Sequence, residues 1–128
     1  MENPLPNRPT ALVVEDDDKL ATIFAQAMKT AGYDIQVAFD GQKAIAMLAH
    51  LEPSAIILDV HLPGASGEVV LNHIRNESRL KDAVVVLATA DSLMADHLRD
   101  QSDFVLLKPV SFNQLRDLGV RILSSIKC

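Results

Sequence analysis

Four short apolar runs punctuate the chain, at residues 11–14, 55–58, 83–88 and 104–107. Each is nearly continuous rather than alternating. Strands covered on both faces look like this, as in a parallel sheet between two layers of helices. Residues 34–39 differ. There Ile35, Val37 and Phe39 alternate with Gln36 and Ala38, which predicts a half-exposed edge strand. Between the strands the period lengthens to that of a helix. Leu20, Ile23, Phe24, Ala27, Met28 and Ala31 line one face of a first helix, with Asp18 as its expected N-cap and Gly32 as its terminator. Ala44, Ile45, Leu48 and Ala49 mark a second, opened by Asp40, and Val70, Leu71 and Ile74 a third. Leu93, Met94, His97 and Leu98 suggest a fourth. The fifth opens at a capping-box pattern, Ser111-Phe112-Asn113-Gln114. Its inner face is expected to use Phe112, Leu115, Leu118, Ile122 and Ile126. Gly119 falls inside that helix at a cost of about 1 kcal/mol relative to Ala, with no local reason for it.

Strands and helices thus alternate five times. The pattern predicts an α/β fold with right-handed crossovers and a five-stranded parallel sheet of order 2-1-3-4-5, helices on both faces. Residues 1–9 hold three prolines and little apolar material, so they read as a flexible arm before a domain spanning 10–128. In such sheets ligands bind beyond the carboxyl ends of the strands, where strands 1 and 3 diverge.

The residues at that end carry chemistry. The first strand runs into Glu15-Asp16-Asp17-Asp18, the third into Asp59, the fourth into Thr89 and the fifth into Lys108-Pro109. Carboxylates a few ångströms apart repel by about 4 kcal/mol per pair at an effective dielectric of about 20, so a proton or a cation must intervene. An all-oxygen set suits a hard ion such as Mg²⁺. Asp17 and Asp18 are explained by a helix N-terminus, which favours acidic residues. Asp59 is not, because it follows a fully apolar run and precedes the turn at Pro63-Gly64.

Composition sharpens this. Of 128 residues, 12 are Lys or Arg and 17 are Asp or Glu, a net charge of −5 that argues against a nucleic-acid surface. Removing Glu15, Asp16, Asp17, Asp18 and Asp59 leaves 12 acids against 12 bases, so the excess equals the carboxylates at one crevice. The only cysteine, Cys128, allows no internal disulfide, and no signal peptide or membrane-spanning run is visible, which suggests a cytoplasmic protein.

Taken together, Leu-Val-Val-Glu-Asp-Asp, Leu-Asp-Val-His-Leu-Pro-Gly-Ala-Ser-Gly, Ala-Thr-Ala and Leu-Lys-Pro-Val resemble the receiver domain of bacterial two-component response regulators. The resemblance runs from about residue 10 to residue 126. It implies a phosphorelay domain rather than an enzyme, with chemistry limited to its own phosphorylation and autodephosphorylation. Asp59 would be the phosphoacceptor, and Glu15, Asp16, Asp59 and the backbone carbonyl of His61 would hold Mg²⁺. Thr89 would bond the phosphoryl oxygen, and Lys108 would pair with the phosphoryl group beside a cis bond to Pro109. The implied partners are a sensor histidine kinase or phosphotransfer protein and an unidentified output partner, with a homodimer left open and neither nucleic acid nor membrane contacted directly.

Two departures stand out. The family carries an aromatic residue three positions before the lysine, where this chain has Val105, with Phe104 one residue earlier and so on the other face of the strand. The stretch from Thr89 to Lys108 is also short, which predicts a reduced fourth helix. These motivate an alternative, an interaction module insensitive to phosphorylation. A further alternative, an aspartyl phosphohydrolase of the haloacid dehalogenase group, needs Asp-x-Asp on the first strand; here Asp59-Val60-His61 lies on the third. The His61 ring offers a last idea, a mixed nitrogen and oxygen site for a transition metal, against a ring that merely sits at the crevice mouth.

Overall fold

The computed structural model describes residues 8–126. The expected arm at 1–9 therefore lies mostly outside the described residues. Five strands, β1 (Thr10–Val14), β2 (Asp34–Ala38), β3 (Ala55–Leu58), β4 (Val84–Thr89) and β5 (Phe104–Leu107), alternate with five helices. These are α1 (Asp18–Ala31), α2 (Gly41–Leu48), α3 (Gly67–Asn76), α4 (Ser92–His97) and α5 (Phe112–Ile126). All strand pairs are parallel, in the order β2-β1-β3-β4-β5. Among the described residues, no helix is long and apolar enough to cross a membrane.

The apolar runs are continuous because alternate residues feed two separate cores. Leu12, Val14, Ile56, Leu58, Val85 and Leu87 face Leu48 of α2 and Val70, Leu71 and Ile74 of α3. Their neighbours Ala11, Val13, Ala55, Ile57, Val86 and Ala88 face Phe24 and Met28 of α1 and Leu115, Leu118 and Ile122 of α5. The outer strand β2 buries only one edge of its pattern, as its alternation predicts. Pro9 and Arg8 already belong to this body: the Pro9 carbonyl accepts from Asp34 N at 2.8 Å, and Arg8 Nε lies 3.2 Å from Asp34 Oδ1.

Three local expectations need correction. The N-cap of α1 is Asp17 rather than Asp18; Asp17 is extended, and its Oδ1 accepts from Lys19 N at 2.9 Å and Leu20 N at 3.0 Å. Asp18 becomes the acidic residue of the first turn, where the helix dipole still favours it. In α4 the expected Met94 and Leu98 do turn to the core, joined by Ala95, but His97 is exposed and Leu93 is 81% exposed, because a six-residue helix turns through less than two full turns and presents one short face. At the far end of α5, Ile126 is 40% exposed, since the helix outruns the sheet it covers.

Gly32 ends α1 at φ 122°, and Ser111 Oγ accepts from Gln114 N at 3.0 Å at the start of α5. Gly119 has a reason that only packing reveals. A Cβ there would lie 2.9 Å from Met28 Sδ and 3.0 Å from the Ala31 Cβ, so the missing side chain lets α5 lie close on α1.

Candidate functional site

The sheet ladder continues one step beyond the strands and so fixes the site. Glu15 N donates to the Ala38 carbonyl at 3.1 Å, Asp59 N to Val14 at 3.1 Å, and Lys108 N to Thr89 at 2.9 Å. Since Val14 pairs with Leu58, Leu58 with Leu87 and Thr89 with Leu107, the residues that follow stand side by side. Glu15, Asp59 and Thr89 are the buried polar residues of the described chain, and Asp16 is exposed.

Lys108 Nζ reaches Glu15 Oε1 at 2.9 Å and Asp59 Oδ2 at 3.2 Å. Its peptide bond to Pro109 is cis. Burial pushes the Glu15 carboxyl above the usual range and the Asp59 charge pushes the same way, against Lys108 and the Asp17 N–H, which pull it down. Burial pulls Lys108 down, but hydrogen bonding and charge from Glu15 and Asp59 outweigh it, so its ammonium is held more tightly than usual. The group is two buried acids, one exposed acid and one base, and it is negative overall.

A cation fits that deficit. One oxygen from each of Glu15, Asp16 and Asp59 lies within 4.8 Å of the others. Glu15 Oε1 is buried, and the charge that meets it is the Lys108 ammonium, which Asp59 Oδ2 shares. One ammonium shared by two buried carboxylates leaves negative charge in excess, which is costly to bury unless a further cation takes it up. The donors are all oxygens, the chemistry of a hard divalent ion.

His61 stands elsewhere. Its backbone N donates to Asp59 Oδ1 at 3.3 Å, and its ring Nε2 lies 2.6 Å from Asp91 Oδ2. Among the described residues the ring is not part of the group with ligand spacing. The transition-metal idea thus lacks its nitrogen. The ring sits at the crevice mouth instead, bound to a carboxylate that sequence reasoning did not single out. Asp91 also caps α4, its Oδ1 accepting from Met94 N at 3.0 Å, and its N donates to Thr89 Oγ1 at 3.1 Å. The Met94 N–H and the His61 ring together hold the Asp91 carboxyl below its ordinary range. The available signal was its place two residues after Thr89 and one before a helical pattern.

The loop from Asp59 to α3 is held by its backbone. Gly64 takes φ 73°, and Gly67 N donates to the Val60 carbonyl at 2.8 Å. A Cβ on Gly67 would collide with the carbonyl of Asp59 and the backbone of Val60, so only glycine lets α3 start this close to the buried acid. On the other side of the crevice, Val105 packs partly buried against the core under α2 and α3, and Phe104 points away and is 37% exposed.

The sequence model of the response regulator receiver domain matches residues 11–118. This chain belongs to that family. It is thus a signalling receiver domain of two-component response regulators. A relative from Synechocystis, the DNA-binding dual master transcriptional regulator RpaA, is 31% identical over 84% of this chain and 46% of its own length. The receiver domain of a signal transduction histidine kinase from Syntrophus aciditrophicus is 26% identical, with TM-score 0.81 over 93% of this chain and 92% of that one. The receiver domain of the sensor histidine kinase PA1611 from Pseudomonas aeruginosa, solved with magnesium coordinated in its own active-site cleft, shares the fold at TM-score 0.80 and 24% identity, over 91% of this chain and 98% of that one. The receiver chain spans about half the length of the curated relatives it matches.

Proposed function

We propose that Asp59 of this receiver domain accepts a phosphoryl group from the phosphohistidine of a sensor histidine kinase or phosphotransfer protein. The carrying observation is a buried carboxylate, Asp59, held 3.2 Å from the Lys108 ammonium and beside the acids Glu15 and Asp16. An oxygen of Asp59 attacks phosphorus, the donor P–N bond breaks, and the imidazole leaves with the electron pair and takes up a proton. The chain's own part is positioning and charge. Lys108 trades its contact with Asp59 for the phosphoryl oxygens. Thr89 offers its hydroxyl to one of them. The ladder bond from Asp59 N to Val14 keeps the nucleophile in line with the crevice. Mg²⁺, held by Glu15, Asp16, Asp59 and the His61 carbonyl, would neutralise charge on the transferred group.

Water attacking the same phosphorus returns free Asp59 and phosphate, so the domain resets itself without acting on an outside substrate. Residues 10–128 form the functional unit in this reading, with Arg8 and Pro9 bound against its edge strand. The net charge of −5 disfavours direct DNA contact by the domain, so an output like that named for the RpaA relative would act through altered protein contacts. A kinase partner of this type places the reaction in the cytoplasm.

A small acyl phosphate with Mg²⁺ is expected to add one phosphoryl mass to the protein. Asp59→Asn and chelation are each expected to abolish the adduct. An adduct that persists in Asp59→Asn would refute the assignment.

A further inference from the structure

Asp59, His61, Asp91 and Thr89 are joined by a chain of contacts around the crevice mouth. His61 N donates to Asp59 Oδ1 at 3.3 Å, the His61 ring meets Asp91 Oδ2 at 2.6 Å, and Asp91 N donates to Thr89 Oγ1 at 3.1 Å. Asp91 Oδ1 holds the first turn of α4 through Met94 N at 3.0 Å. The phosphoacceptor and the start of α4 are therefore linked through one side-chain bridge between two loops.

Helix α4 is suited to respond. At six residues it is too short to persist on its own hydrogen bonds. Within its six residues it buries Ala95, packs Met94 only partly against the core and leaves Leu93 exposed, so its anchorage is narrow. Its other end is tied to α3 by His97 Nε2 and Glu68 Oε2 at 3.4 Å, both exposed side chains. On β5, Val105 has no ring whose rotamer could report the state of Thr89.

We propose that the His61–Asp91 bridge carries the phosphorylation state of Asp59 to helix α4. The inference rests on the phosphoacceptor reading above. A phosphoryl group adds acceptor oxygens and negative charge at Asp59. These draw on the His61 N–H, already on Asp59 Oδ1, and on the Thr89 hydroxyl, whose oxygen accepts from Asp91 N. Thr89 is β-branched, so turning its hydroxyl moves Oγ1 by a whole rotamer and removes the acceptor of Asp91 N. Asp91 then shifts. Its carboxylate grips Met94 N on one side and the His61 ring on the other, so the first turn of α4 moves with the loop that bears Asp59. The Asp91 carbonyl also accepts from Ala95 N at 3.0 Å, so cap and first turn move as one; without the grip on His61 both keep their place when the Asp59 loop moves.

Two substitutions separate the bridge from the cap. Asp91→Ser still caps Met94 N but is too short to reach the ring, whereas Asp91→Asn keeps both contacts. Amide NMR spectra of each protein are recorded with Mg²⁺, before and after adding beryllofluoride. In the unsubstituted protein, amides at Thr89 and Lys108 report occupancy of the site, and amides of residues 92–97 are expected to shift with them. Asp91→Asn is expected to keep the α4 shifts. Asp91→Ser is expected to lose them while Thr89 and Lys108 still respond. Equal α4 shifts in Asp91→Ser and the unsubstituted protein would overturn the relay, as would equal loss in Asp91→Asn and Asp91→Ser. No response at Thr89 and Lys108 in the unsubstituted protein would instead bring down the phosphoacceptor reading, and the relay with it.

Discussion

Tyr33 is the single tyrosine of the chain, fully buried between α1 and α5, and its hydroxyl donates to the Gly119 carbonyl at 2.9 Å. Burial pushes its phenol from 10.0 up to about 12. The folded value lies above the unfolded one, so its contribution to stability is complete below pH 10 and drains away as the pH climbs towards 12. Tyr33→Phe is expected to lower stability at neutral pH by about 1 kcal/mol, the value of one buried hydrogen bond. It should also flatten the alkaline decline, so the two urea-unfolding midpoints converge as the pH rises. Midpoints that stay a constant distance apart up to pH 12 would place the alkaline loss in other groups. Absence of tryptophan makes the phenolate absorbance of this one ring a direct report of its ionisation.

Where α5 crosses α1, propensity and packing disagree. Gly119→Ala gains about 1 kcal/mol of helix propensity. The new Cβ must displace the flexible end of Met28 and press on Ala31, whose Cβ cannot swing away. Overpacking of this kind costs about 1–3 kcal/mol, so a net loss of about 1 kcal/mol in urea melts is expected, and a gain would mean that the helices separate freely. The same position marks the boundary of what local pattern can reveal. Strands announced themselves because burial on both faces writes an unbroken apolar run, and β2 because burial on one face writes alternation. Glu15, Asp59, Thr89 and Lys108 were legible because each directly follows, or ends, such a run. The pairing of Asp91 with His61 was not, since the two lie on different loops. Nor was Arg75, which spans from α3 to the carbonyls of Gln101 and Ala83 and to Asp103 Oδ2, at 2.7, 3.2 and 2.9 Å. Long side chains that close distances between elements leave no trace in the spacing of their neighbours. The one-residue displacement of the α1 cap has a simpler source: three consecutive aspartates can each serve, and backbone conformation chooses among them.

At the scale of the whole molecule, the negative site and the sheet bear on each other. A cation bound only by the folded state stabilises it by mass action, about 2.7 kcal/mol when free Mg²⁺ exceeds its dissociation constant a hundredfold. Thermal unfolding is therefore expected to move upward with Mg²⁺ and back with a chelator, and Asp16→Asn should blunt the shift. An identical shift in that variant would take Asp16 out of the ligand set. The strand order adds a consequence for rates. Glu15, Asp59 and Lys108 come together only after β1 has found β3 and β3–β4–β5 have paired across their helical crossovers. Pairings so distant along the chain are closed late, because loop entropy is spent before contacts repay it. An ion held by the ends of β1 and β3, and completed by a site that closes only when β5 brings in Lys108, has little to hold in the barrier state, so it should slow unfolding and leave refolding nearly unchanged. Magnesium would then act on this domain as a clock on its folded lifetime, set by the order in which five strands are laid side by side.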